Sequence, residues 1–225
     1  MEKITFIGLG VMGFPMAGHL SKEGYNVTVY NRSEEKSKLW IKNHIGTYST
    51  SIKEAVSESD IVFSCVGNDT DLREITLGID KAFSCMKPDS VFIDHTTTSS
   101  DIAVELSKKA KELNIHFLDA PVSGGEAGAQ NGKLSVMIGG DDLAYKQISP
   151  ILDCYSAFHK YMGISGNGQL TKMINQICIA GLLQALAEAA SFSKKSGISS
   201  KDVLDVISKG AAQSWQMENR WDSMI

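Results

Sequence analysis

Residues 4–13 read ITFIGLGVMG, and this stretch decides the fold. A strand-length run, Ile4–Ile7, leads directly into Gly8-x-Gly10-x-x-Gly13 and then into a helix-like segment, Met12–Lys22. In that setting each glycine has a task. Gly8 permits a tight turn, Gly10 lets a pyrophosphate approach the backbone, and Gly13 allows close packing of helix on strand. The helix N-terminus adds unpaired N–H groups and the positive end of a dipole. The stretch therefore predicts a dinucleotide site built from Gly8, Leu9, Gly10, Val11, Met12 and Gly13.

Outward from this point, short apolar runs alternate with amphipathic segments through residue 120. The runs are Val27–Tyr30, Ile61–Val66, Val91–Asp94 and His116–Leu118, with helix-like Glu34–Lys42 and Asp101–Leu113 between them. This alternation marks βαβ units and a parallel sheet. Leu134–Ile138, Asp141–Leu152 and Ala157–Tyr161 add a last strand, helix and strand. Beyond Gly163 the pattern turns helical: from Gln169 to about Lys195, then Ser200–Lys209, then Gln213–Ser223. Ser199 or Ser200 is the expected N-cap, and Gly197 and Gly210 the expected stops. The boundary falls at GISGNG, which gives an α/β domain over 1–163 and an all-α region over 164–225.

The 225 residues are 43% hydrophobic and 21% charged, with net charge −4. No basic stripe points to nucleic acid, and no polybasic run points to a membrane surface. The N-terminus enters a strand at once and does not read as a signal peptide, so a cytoplasmic location is expected. The four cysteines form no CxxC pair and read as buried free thiols, and no metal site is expected. The segment GQLTKMINQICIAGLLQALAEA, 168–189, carries no charge between Met173 and Ala187. Asn175, Gln176 and Gln184 interrupt it, so it reads as a covered core helix, not a membrane span. Something must cover it: a partner chain, giving a homo-oligomer (dimer or tetramer), or further chain beyond Ile225.

Three other places carry chemistry. At the tip of the second strand an acidic residue selects NAD and a cation NADP. The chain has Asn31-Arg32-Ser33, with no carboxylate at the tip, which favours NADP over NAD; Glu34 and Glu35 follow and are rival partners for Arg32. The fifth strand exits into Asp119-Ala120-Pro121-Val122-Ser123-Gly124-Gly125, where Ser123 and the amides of Gly124 and Gly125 suit a carboxylate. Asp94-His95-Thr96-Thr97-Thr98 is a neighbouring exit crowded with hydroxyls, and His95 is a candidate acid/base. The third place is Lys172, at the mouth of the apolar helix. It is either a snorkelling surface residue or a working acid/base whose pKa is lowered by apolar neighbours and the helix dipole. Asn175 and Gln176, at i+3 and i+4, lie on neighbouring helix faces.

The stretches FIGLGVMGFPMAGHL, YNRS, DAPVSGGEAGAQNGKLSVMIGG and GNGQLTKMINQ, in this order, resemble the β-hydroxyacid dehydrogenase family. The resemblance implies a Rossmann-like domain followed by an all-helical domain. It also implies hydride transfer between a nicotinamide cofactor and a small 3-hydroxy acid, at its alcohol carbon, or its semialdehyde. The alternatives are a reductase of another carbonyl or an imine on the same scaffold, or a non-catalytic dinucleotide-binding scaffold. Lys172 matches the catalytic lysine; Ser123, Gly124 and Gly125 match the substrate-carboxylate loop, with Asn175 and Gln176 near the substrate. Thr97 matches the hydroxyl residue near nicotinamide. Val66 and Gly67, followed by Asn68, stand at the cofactor loop where the family often has Leu-Pro. The family's later helices, with a Lys-Asp pair near the active site, have no counterpart before Ile225, and Ser214-Trp215 matches a substrate-side segment only loosely.

Overall fold

The structure, a computed structural model, describes residues 2–225. The chain opens with β1 (Lys3–Ile7), α1 (Gly13–Lys22), β2 (Asn26–Tyr30), α2 (Glu34–Asn43), β3 (Thr47–Tyr48), α3 (Ile52–Val56), β4 (Ile61–Ser64), α4 (Asp69–Thr76) and α5 (Ala82–Cys85). It continues through β5 (Val91–Asp94), α6 (Ser100–Glu112), β6 (His116–Asp119), β7 (Val122–Ser123), α7 (Gly125–Gln130), β8 (Leu134–Gly140), α8 (Asp142–Leu152) and β9 (Ser156–Tyr161). Three helices follow, α9 (Asn167–Lys195), α10 (Ser200–Ile207) and α11 (Trp215–Met224).

The sheet runs β3-β2-β1-β4-β5-β6-β8-β7, with β9 paired to β8. The strands from β3 to β6 are parallel, β8 runs antiparallel to β6 and β7, and β9 is parallel to β8. β4 and β5 are buried along their whole length, which is why they read as continuous apolar runs and not as alternating ones. One face packs Ile4, Phe6, Met16, Leu20 and Trp40 together. The other packs Ile7, Val62, Phe92, Leu106 and Phe117. The chain passes from β1 to β2 on one side and returns to β4 on the other. A crevice therefore opens at the carboxyl ends of β1 and β4, the usual ligand position in such sheets.

The chain divides into two compact units at Lys172/Met173. The first reaches beyond the expected limit at 163 because hydrogen bonds from β5 and β6 hold the first turn of α9, as described below. In the second unit Leu186, Ala190, Met217 and Trp221 form a small core. Ser199 caps α10 by accepting from Asp202 N, and Gly197, at φ 70°, closes α9. On the apolar part of α9, Ile174 and Ile177 are 62% and 73% exposed, so the described residues do not cover that face. Among the described residues α9 is the one helix long and apolar enough to cross a membrane. The cysteines are free, as expected, but not buried as residues: Cys65, Cys85 and Cys154 are half-buried and Cys178 is exposed.

Candidate active site

A cavity of about 450 Å³ occupies the crevice, lined by Gly8, Gly10, Asn31, Arg32, Val66 and Gly67 among others. The three motif glycines divide the work. Gly8 is left-handed (φ 96°), and a Cβ there would lie 2.2 Å from the Cys65 carbonyl oxygen. A Cβ on Gly13 would lie 1.9 Å from the Gly8 carbonyl oxygen, so α1 can seat on β1 only without one. A Cβ on Gly10 would meet nothing within 4 Å. Its missing side chain leaves open space against the cavity, as a pyrophosphate at the helix start requires.

The strand tip is wired into this loop. Leu9 N donates to Asn31 Oδ1 (2.8 Å), and Asn31 Nδ2 donates to Ser33 O (3.0 Å), so the Asn31 amide is occupied in shaping the turn. Ser33 Oγ donates to Glu35 (2.8 Å), while Glu34 pairs with Lys38 at 3.0 Å. Neither glutamate takes Arg32, which is 82% exposed and stands 3.5 Å from Asp71. Lys36 and Lys81 also line the cavity. Sequence reasoning missed Lys36, which reads as one more charge on the exposed face of α2. Asn68 does not line the cavity; its side chain caps α4 by accepting from Asp71 N (3.0 Å). Val11 lines a separate cleft of about 820 Å³ with Phe14, His19 and His44.

The β5 exit holds the cofactor loop from below. Asp94 Oδ1 accepts from Ser64 Oγ (2.7 Å), Thr96 Oγ1 (2.6 Å) and Thr96 N (3.1 Å). Thr96 Oγ1 in turn accepts from Val66 N (3.0 Å). Asp94 Oδ2 is buried with no partner, and burial pushes this carboxyl up to about 7. Between about pH 4 and that value the folded chain keeps a proton that the unfolded chain has released. The contribution of this group to stability therefore falls as pH rises through that window. Asp94→Asn is expected to remove the slope: its urea midpoint relative to wild type rises between about pH 5 and about pH 8. A midpoint difference that does not change with pH would contradict the protonated carboxyl.

His95, the alternative acid/base, is excluded by its surroundings. It is buried, and burial pulls it down to about 4, so the ring is neutral. Nδ1 donates to Ala120 O (2.6 Å), which leaves Nε2 to accept from the Tyr155 hydroxyl (2.8 Å). Both nitrogens are used inside the core.

At the β6 exit Gly124 and Gly125 take φ of 135° and 61°, conformations that favour glycine. Gly125 opens α7, so its N–H has no intrahelical partner. Ser123 Oγ makes no hydrogen bond among the described residues, so hydroxyl and amide remain available for a carboxylate. Thr97 is exposed between buried Thr96 and Thr98 and lies outside the cofactor cavity.

Lys172 is 9% exposed and makes no ion pair or hydrogen bond among the described residues. Burial lowers its pKa from the ordinary value. The dipole contribution expected from the sequence is offset, because the Asp119 carboxylate sits at the start of α9 and accepts from Gly166 N (2.8 Å) and Gln169 N (3.0 Å). Asp119 is itself pushed up to about 6 by burial. Asn175 and Gln176 lie in the second unit, where Asn175 Nδ2 donates to Gln176 Oε1 (3.0 Å).

This combination of parallel sheet, glycine turn and switch-point cavity defines a Rossmann-fold NAD(P)-dependent oxidoreductase. Residues 3–166 match the NAD binding domain of 6-phosphogluconate dehydrogenase, and residues 166–225 match the NAD-binding region of NADP-dependent 3-hydroxyisobutyrate dehydrogenase. The chain belongs to the β-hydroxyacid dehydrogenase family. An uncharacterized oxidoreductase of Shewanella frigidimarina is 53% identical over 224 residues, covering 100% of this chain and 77% of that protein. The solved Mycobacterium tuberculosis 3-hydroxyisobutyrate dehydrogenase with L-serine superposes with TM-score 0.90 at 30% identity, covering 98% of this chain and 75% of that one. Psf3 in complex with NADP+ and 2-OPP gives TM-score 0.89 at 25% identity, covering 97% and 77%.

Proposed function

We propose that the chain interconverts a small 3-hydroxy acid and its semialdehyde with NADP, and that Lys172 is the acid/base. The observation that carries this reading is a buried lysine with no ion pair or hydrogen bond among the described residues, three residues after Gln169, whose amide is bonded to the β5 exit at Thr96 and Thr98. A bound nicotinamide supplies or accepts the hydride. The protein must then move one proton at the substrate oxygen. In oxidation the neutral Lys172 amine takes the hydroxyl proton, and in reduction the ammonium returns it and stabilises charge developing on oxygen. An unperturbed amine, with pKa about 10.4, is a poor base near neutrality, and burial moves this one downward, toward that range. Ser123, Gly124 and Gly125 would hold the carboxylate and so turn the reacting carbon toward the lysine.

The substrate class is supported by the L-serine complex of the mycobacterial relative, since serine carries a hydroxyl on carbon 3. The test is turnover with NADP(H) and NAD(H) against L-serine, 3-hydroxyisobutyrate, glyoxylate, succinic semialdehyde and tartronate semialdehyde. Cofactor binding without turnover of any of these would favour a non-catalytic scaffold. For the cofactor, Arg32 and Lys36 are the cations suited to a 2′-phosphate. Removing both (Arg32→Ala with Lys36→Ala) is expected to raise KM for NADPH by about 10–100-fold and to leave that for NADH within about threefold, as loss of charge-assisted bonds predicts. Equal losses for the two cofactors would refute the assignment.

A further inference from the structure

We propose that Asp119 and Gln169 form a clamp that sets the depth and direction of Lys172, so that both are positioning residues for proton transfer. The inference rests on the acid/base reading of Lys172. A helix start leaves several N–H groups without intrahelical partners, and a local side chain such as Asn167 or Ser165 would ordinarily serve them. Here the acceptor comes from another element. Asp119, the last residue of β6, takes Gly166 N on one oxygen and Gln169 N on the other. The helix is therefore fixed to the sheet as well as capped.

Gln169 makes the second attachment. Although it stands in a helix it is fully buried. Its Nε2 donates to Thr96 O (2.7 Å) and its Oε1 accepts from Thr98 N (3.0 Å). Both ends of one amide thus grip the backbone on either side of Thr97, at the exit of β5. Two glycines make the close approach possible. A Cβ on Gly168 would lie 2.5 Å from the carbonyl oxygens of Asp119 and Met137, and a Cβ on Gly139 would lie 2.8 Å from Gly168 N and Ile164 O. Neither has a left-handed φ, so each is glycine for space and not for conformation.

Lys172 follows Gln169 by three residues, less than one helical turn, and so leaves the same side of α9. That is the side held against the strand exits. With the clamp closed, the lysine stem has little freedom to swing into water, which accounts for its burial in a position only six residues into the helix. A slack first turn would let the amine rehydrate, return toward its ordinary pKa and lose its alignment.

Gln169→Met keeps the length of the side chain and changes no charge, but removes both amide bonds. Gly168→Ala attacks the same contact from the other side by forcing the turn away from β6. The readout independent of activity is the pH dependence of Lys172 acetylation in the full chain, followed by mass spectrometry. Both variants are expected to move the midpoint of that labelling upward, toward the ordinary lysine value. They are also expected to lower kcat with the best substrate of the panel by 10-fold or more, with NADPH affinity within about threefold of wild type. An unchanged labelling midpoint in folded Gln169→Met would overturn the clamp. If Gly168→Ala does not fold, Gln169→Met decides alone; if neither folds, Gln169→Asn, which shortens the reach without adding charge, is read by the same labelling. Failure of the lysine assignment is separate, since it shows as wild-type kcat in Lys172→Ala.

Discussion

Lys172→Ala is expected to lower kcat by about 10²–10⁴, the range typical for loss of a general acid/base, while NADPH affinity stays at the wild-type value. The two effects separate because Lys172 is not among the residues that line the cofactor cavity. Steady-state kinetics in both directions, with NADPH titration by fluorescence, checks this. A snorkelling lysine would give a variant with unchanged kcat. The kinetics decide between the two roles, since a buried stem with 9% of the residue exposed is compatible with either.

The glycine motif gives the second large effect, as a contrast between two single methyl groups. Gly13→Ala puts a Cβ 1.9 Å from a backbone oxygen, and α1 must shift off β1 to accommodate it. A loss of about 3 kcal/mol in unfolding free energy is expected, at the upper end for overpacking of a tight interior. Gly10→Ala meets no atom within 4 Å and has no left-handed φ to strain, so its melting temperature should match wild type. Its methyl group instead projects where a pyrophosphate has to approach, and NADPH affinity should fall by at least about 10-fold. Denaturant midpoints and NADPH titrations on the two variants read these separately. A Gly10→Ala variant that binds NADPH as well as wild type would mean that the cavity is not the nucleotide site.

The strands of the sheet were legible because buried parallel strands leave continuous apolar runs: β5 falls at Val91–Asp94 as the run predicts, and β1 and β2 differ from theirs by one residue. The pieces that escaped are short. β3 has two residues, and α3, α4 and α5 are too brief to show a helical period, with α4 spending its length on acidic side chains over buried Leu72 and Thr76. In the site, Lys172 and the glycine turns stand out because their residue types are anomalous where they occur. Asp119 does not, since an acid at a strand end looks like any loop residue until Gly166 and Gln169 are folded back onto it from some fifty positions away. Gln169 carried a readable signal, a polar residue at the head of an apolar helix, but its partners lie about seventy positions earlier. The exposure of Ile174 and Ile177 was not readable either, because composition reports that a helix is apolar and not what lies against it.

The pH dependence of kcat/KM in the two directions tests the central claim most directly. If Lys172 carries the proton, the oxidation rate rises with pH and the reduction rate falls. In each direction the limb turns below the ordinary lysine value of 10.5, the direction in which burial moves this group. Both limbs should vanish from the residual activity of Lys172→Ala. Limbs that persist in the variant at the same midpoint would assign the proton to another group and contradict the account.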